Sequence, residues 1–343
     1  WLLRSTAITM PSVAKTQNLL SNLVSTKILS GIQVTSHVLG GVLNIGTFPL
    51  LSSVIPKNAK YRMRQVSGEA AIRGMNTAVL WSPFFVSFAV GQLYLPSQSA
   101  WLGIAFGLLV ALLFNLISIR FLIGKFTLSY LFEAVSCVKP IFPRLLILSL
   151  SVLAVGQIFD KTALNAIVIV IPILVVVQML RRPETAKSII SNLNNLILKS
   201  GDEMLLISVS MFLGSILSGS VEIQTFISNN IGNNFPFWAM IILLPLIVWI
   251  FGLIGIHPII TSAPILSLFG PLLSLWEAAF LMQAHLIGWC AGTATSFTSL
   301  SVLTTAENFR LSVLKLVFGP NLIATGSLTV IGALLLIALN YFL

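Results

Sequence analysis

The chain alternates long apolar runs with short basic connections, and that alternation limits what it can fold into. Positive residues gather in "KNAKYRMR" (57–64, with Arg73 close behind), in 120–144 (Arg120, Lys125, Lys139, Arg144) and in "RRPETAK" (181–187). Of 343 residues 57% are hydrophobic and 8% charged, and the mean hydropathy is +1.00. Soluble domains carry roughly 25% charged residues, so a water-facing shell cannot be built from this sequence. The expectation is an all-α polytopic membrane protein, with about eight or nine stretches near the ~20 residues that a crossing helix needs.

The placement of charge also sets sidedness. A net charge of +10 is compatible with a nucleic-acid footprint, but the positives occupy short loops, where the positive-inside bias acts. Those loops are assigned to the cytoplasm, and no nucleic acid is expected. Lys15 and Lys27 fall outside on this scheme and are its exceptions. Cys137 and Cys290 are too few and too far apart for a disulfide framework or a metal knuckle. The chain opens on Trp1 without a signal peptide, and its true N-terminus is expected to be missing.

Apolar runs at 36–56, 76–95 and 100–123 form a first group of spans. Residues 125–139 put Leu128, Leu131, Phe132, Val135 and Val138 on one helical face, and 184–199 do the same with Ile189, Ile190, Leu193, Leu196 and Ile197. Both suit helices lying in the membrane interface. A hairpin at 143–159 and 164–180 separates them. Spans at 203–219, 236–255, 256–275, 278–304 and 320–343 complete the chain.

Two of these segments resemble one another. "NTAVLWSPFFV" (76–86) and "GTATSFTSLSV" (292–302) match at Thr77/Thr293, Ala78/Ala294 and Val86/Val302, with Trp81 facing Phe297 and Ser82 facing Thr298. Charge placement runs the unit 36–123 opposite to the unit 256–343. Inverted repeats with interrupted helices are a recurrent construction of secondary transporters, whose solute site lies near the midplane. Pro83 lacks an N–H and Gly292 permits a bend, so each break has a local cause. Hydroxyls can satisfy the freed backbone while presenting donors and acceptors to a solute. The expected solute ligands are Asn76, Thr77, Ser82, Thr293, Thr295, Ser296, Thr298 and Ser299. Close helix packing by small residues is the competing explanation.

"SHVLGGVLNIGTFP" (36–49) and "GIHPIITSAP" (255–264) carry too many Gly and Pro for uninterrupted helices and read as re-entrant hairpins or kinked spans. Asn44, Gly46, Thr47, His257 and Thr261 are the candidates there for cation binding or gating. His257 is either a proton carrier or a neutral helix cap. All nine carboxylates, Glu69 included, are read at or near span ends, with Arg73 as a cytoplasmic anchor. Without a buried carboxylate, sodium held by carbonyls and hydroxyls is favoured over Asp/Glu proton coupling. Helix N-termini at the breaks favour an anionic solute. No metal site beyond sodium, no other cofactor and no enzyme signature such as HExxH, GxSxG or a Walker loop is found.

On "MNTAVLWSPF", "GTATSFTSLS" and the two Gly/Pro-interrupted stretches, the chain resembles the ion transporter superfamily of divalent anion:sodium symporters and arsenite or citrate permeases. Where some members carry Ser-Asn-Thr, this chain has Met75-Asn76-Thr77 and Ala291-Gly292-Thr293. The resemblance implies an elevator-type carrier in a bacterial inner or plasma membrane, homodimeric and in contact with lipid. Residues 1–124 would form a first repeat lacking N-terminal spans, 125–200 the interfacial and scaffold helices, and 201–343 the inverted repeat. Two other readings stay open: a non-transporting membrane subunit or lipid-handling enzyme, and a passive channel.

Overall fold

Hydrocarbon offers no partner to a free backbone group, so a chain crossing it must satisfy its N–H and C=O groups internally. Among the described residues every regular element is helical. The computed structural model describes all residues except 1, 8, 25–26, 124–127, 199–200, 228, 230–234 and 343, and except the side chains at 3, 4, 97, 128, 195, 196, 202, 203, 206, 210, 218 and 227. The boundaries drawn at 124/125 and 200/201, the Leu128 and Leu196 positions, and the side chains of Asp202 and Glu203 lie outside that description.

The chain begins with α1 (Leu2–Ala7) and α2 (Pro11–Ser21). A first unit follows: α3 (Ile28–Leu43), a 3-10 turn at Asn44–Gly46, α4 (Thr47–Ser52), α5 (Tyr61–Thr77), a 3-10 turn at Ala78–Leu80, α6 (Val86–Tyr94) and α7 (Ser97–Ser118). A middle group comprises α8 (Leu128–Val138), α9 (Phe142–Ile158), α10 (Ala163–Arg181) and α11 (Ala186–Leu198). After α12 (Gly201–Gly219) and α13 (Val221–Ile227) comes a second unit: α14 (Phe237–Leu253), α15 (Pro258–Phe269), α16 (Leu275–Thr295), α17 (Leu300–Phe309), α18 (Val313–Val317) and α19 (Pro320–Phe342).

Five described helices are long and apolar enough to cross a membrane, and a sixth appears if α8 and α9, bent by 69°, count as one span. That is fewer than the sequence suggested. Two of the five, Ile28–Ser52 and Leu275–Phe309, run through the breaks at 44–46 and 296–299 as kinked spans, whereas the break at 254–257 leaves Phe237–Leu253 and Pro258–Leu272 short. Phe121, Leu180 and Ile323 point outward, each more than 70% exposed. Such exposure is costly in water and costs nothing among lipid tails.

Glycines let the broken helices approach closely. In the first unit α3 crosses α5, where Gly40 meets Met75 and Gly74 meets the backbone at Gln33 and His37. In the second unit α14 crosses α16, where Gly252 meets Gly292 and Gly288 meets Pro245. The half-helices then pair between units, α4 against α17 and α6 against α15.

Three sequence expectations need correction. Lys27 donates to both oxygens of Glu133 (2.7 and 2.9 Å) on α8, and Arg144 bonds Ser12 of α2. Lys15 and Lys27 thus lie with the basic connections rather than opposite them, which removes the exceptions to the charge rule. The adjacent Lys27 ammonium draws the exposed Glu133 carboxyl below its ordinary pKa. On α8 the protein-facing side is Ala134, Cys137 and Val138, while Phe132 and Val135 face outward. Finally, Glu69 and Arg73 are buried at 3% and 2% exposure, so neither is a span-end anchor.

Candidate functional site

Both chain breaks near the centre have readable causes. The helical hydrogen-bond pattern of α5 tightens after Thr77, and Trp81–Phe85 then runs without α-helix before α6 starts. In the second unit α16 stops at Thr295 and α17 is capped by Ser299, whose Oγ accepts from Val302 N (3.2 Å). Ser299 also donates to Thr293 O (2.5 Å), so one hydroxyl closes the break from both sides.

The other two breaks turn on residues with positive φ. Asn44 has φ +52° and Gly255 φ +89°, and each precedes an isoleucine. Gly adopts positive φ freely, whereas Asn44, with ψ −134°, lies outside the left-handed helical well that Asn tolerates and is strained. His257 then caps α15, its Nδ1 accepting from Ile259 N (3.3 Å). This bond leaves the ring proton on Nε2 and matches the helix-cap alternative.

All four breaks open on one cavity of about 1100 Å³. Asn44, Asn76, His257, Thr293, Thr298 and Ser299 line it, and Ser301 and Trp289 join them. Its other wall is apolar, with Ile167, Ile171 and Pro172 of α10 and Leu193 of α11. Among the described residues no Lys, Arg, Asp or Glu lines it.

Asn76 ties the two units together. Its Oδ1 accepts from Thr293 Oγ1 (2.7 Å) and Ser301 Oγ (3.4 Å), while its Nδ2 donates to Ile72 O (3.0 Å). Thr298 donates to Gly255 O (2.9 Å), joining the α16–α17 break to the α14–α15 break. Helices α6, α15 and α17 start at this cavity, with N-caps Phe85, His257 and Ser299 on its wall. First-turn N–H groups have no partner within their own helix, and Leu300 and Ser301 of α17 line the cavity.

Seven expected ligands do not line the cavity. Thr77 donates to its own helix and accepts from Asn115 Nδ2 (2.8 Å), with His37 Nδ1 at 3.1 Å. Ser82 bonds Gly41 O. Thr295 donates to Ala291 O (2.9 Å) and Thr261 to Pro258 O (3.1 Å), both within their own helices. Ser296 pairs with Thr298 (3.0 Å), Gly46 is buried in the turn before α4, and Thr47 is buried as the first residue of α4.

Reading the sequence missed a second polar group inside the first unit. Gln33 Nε2 donates to Asn115 Oδ1 (2.9 Å) and Ser118 Oγ (2.5 Å), and Trp81 Nε1 donates to His37 Nε2 (3.2 Å). Arg73 joins this group through Gln33 Oε1 (3.3 Å) and reaches Asn321 Oδ1 of α19 (2.7 Å). Asn115 lies alone in an apolar run, which gives no local signal of its partners. Trp289 gave none either, because an aromatic in a span usually belongs to packing.

Compared with protein-family models and with curated proteins, the chain matches none.

Proposed function

We propose that this chain is a secondary active transporter of a small anionic solute, a carboxylate or oxyanion, coupled to sodium or protons. The observation that supports it best is the convergence of four helix breaks on one largely apolar cavity that carries hydroxyls on one wall and no charged side chain among the described residues. Three helix N-termini bring partial positive charge to that space, and the hydroxyls of Thr293, Ser299 and Ser301, which donate to Asn76 and to Thr293 O in this structure, would turn to the solute when it binds. Neutral donors suit an ion that must be released again, since a buried full countercharge would hold it.

In this reading 28–118 and 237–342 are inverted repeats, supported by their matching order of whole and broken helices and by the paired half-helices. The middle helices α8 to α11 act as scaffold and link to a second copy in an elevator-type carrier. Asn44 and His257 stand where a sodium ion or proton would meet the solute.

Purified protein should gain thermal stability with one class of small carboxylate or oxyanion, and more so with sodium present, because ligand that binds only the folded state stabilises it by mass action. Reconstituted in vesicles, it should accumulate that solute only when an ion gradient is imposed. Flux indifferent to every gradient would mark a passive channel instead. No stabilisation by any anion, with or without sodium, would remove the reading.

A further inference from the structure

At the far end of the half-helices lies a second, smaller pocket of about 230 Å³. Its wall is formed by Ser52 at the end of α4, Pro56 and Lys57 of the following turn, Arg64 of α5, and Asn308 and Arg310 at the end of α17. A ten-residue helix is about 15 Å long, which separates this pocket from the central cavity at the opposite end of α17.

Three cations thus converge on one small space. Among the described residues none of Lys57, Arg64 and Arg310 has a carboxylate within ion-pair distance, where the single such pair is Lys27–Glu133. The Arg64 Nε is buried and has no hydrogen-bond partner. The nearest acid along the chain, Glu307, is exposed and does not line the pocket. Lys315 and Arg64 both stand over the Tyr61 ring, at 5.0 and 5.9 Å, which adds further positive charge at this end.

Helix ends do not balance that charge. A helix C-terminus contributes about half a negative charge at most, and the six-residue α4 and ten-residue α17 supply two such ends. About two positive charges remain. A phosphate group carries roughly −1.5 to −2 near neutral pH, and its oxygens suit guanidinium donors.

We propose that this pocket binds a phosphate group, either free inorganic phosphate or the headgroup of a phosphomonoester lipid, held by Lys57, Arg64 and Arg310. Bound there, the group would clamp the ends of α4 and α17, which come from different units and pack together.

The test uses the full chain in neutral detergent, with thermal unfolding followed against inorganic phosphate and against chloride at equal ionic strength. The same measurement is repeated in phosphatidylcholine vesicles with and without phosphatidic acid. Either phosphate source should raise the melting temperature saturably, and which of the two does so identifies the source. Arg64→Gln and Arg310→Gln should each weaken the apparent affinity on the order of tenfold. Lys57→Gln, on an exposed turn, provides the same test if an arginine variant does not fold. Equal effects of chloride, no effect of either source, or a shift that survives Lys57→Gln and Arg310→Gln together would overturn the proposal. A phosphate shift abolished by Asn76→Leu but kept in the basic variants would place the phosphate in the central cavity and also overturn it. None of these failures touches the transport reading.

Discussion

The two broken units differ in where their polar groups point. In the first, Thr77 and Ser82 turn inward, into bonds with Asn115 and Gly41, and a network through Gln33, His37 and Arg73 ties α3, α5, α7 and α19 together. In the second, Thr293, Thr298, Ser299 and Ser301 face the cavity, with Asn76 as the amide crossing from the first unit. Similar chain breaks thus perform two tasks. One is braced by side chains from neighbouring helices, and the other lines a cavity with hydroxyls that bond to the opposite break and to its own chain.

The bracing is the easiest part to break. Arg73→Met should remove the donor that holds Gln33 Oε1 and Asn321 Oδ1, at about 1–3 kcal/mol for each buried amide oxygen left unsatisfied. Thermal unfolding in detergent reads it, and a change under 1 kcal/mol would show that the network does not brace the unit. Next is Asn76→Leu, which strips Thr293 and Ser301 of their shared acceptor. At about 1–3 kcal/mol for unsatisfied groups, solute binding should fall tenfold to hundredfold with the protein still folded, and undiminished uptake in vesicles would place the solute elsewhere.

Glycine contacts sharpen the contrast between units. A Cβ at Gly74 would run into the Gln33 carbonyl, whereas at Gly292 it would lie 3.1 Å from Val248 O. Gly74→Ala should therefore cost about 1–3 kcal/mol as overpacking, and Gly292→Ala clearly less; equal melting temperatures would contradict the tighter crossing of α3 and α5. The positive-φ turns come next. Gly255→Ala should destabilise by about 1–2 kcal/mol, while Asn44→Gly, which adopts φ +52° and ψ −134° without strain, should leave stability unchanged or raise it by up to about 1 kcal/mol. The smallest effect belongs to Thr295→Val, since that hydroxyl serves only its own helix; uptake should stay within twofold, and a large loss would return Thr295 to the site.

Much of this was legible in the chain. The breaks at 81–85 and 296–299 followed from Pro83 and the Ser/Thr run, whereas Gly292, expected to permit the bend, stays helical in α16 and packs against Gly252. The stretches 36–49 and 255–264 were read as interrupted because Gly and Pro are backbone instructions, carried by the residue itself. Which hydroxyl faces a cavity is another matter. Thr293 and Thr295 are two residues apart on one helix, about 200° around its axis, and only the helices packed on each side separate the exposed one from the buried one. The burial of Glu69 was hidden for the same reason, since a charge beside a basic loop reads as a span end until Gly319, Asn321 and α19 are seen to cover it.

Composition and local pattern mark this chain as helical and suited to a membrane, and they mark the breaks beside Pro83 and in the Ser/Thr run, but not the helix over 61–77, which reads as a basic loop. Those properties depend on hydrophobicity and backbone freedom, which each residue or short run carries locally. Packing alone brings four breaks to one cavity, places Asn76 across the two units and encloses Arg73. These outcomes depend on contacts between residues as far as 248 positions apart, and no local pattern encodes which distant side chain will arrive.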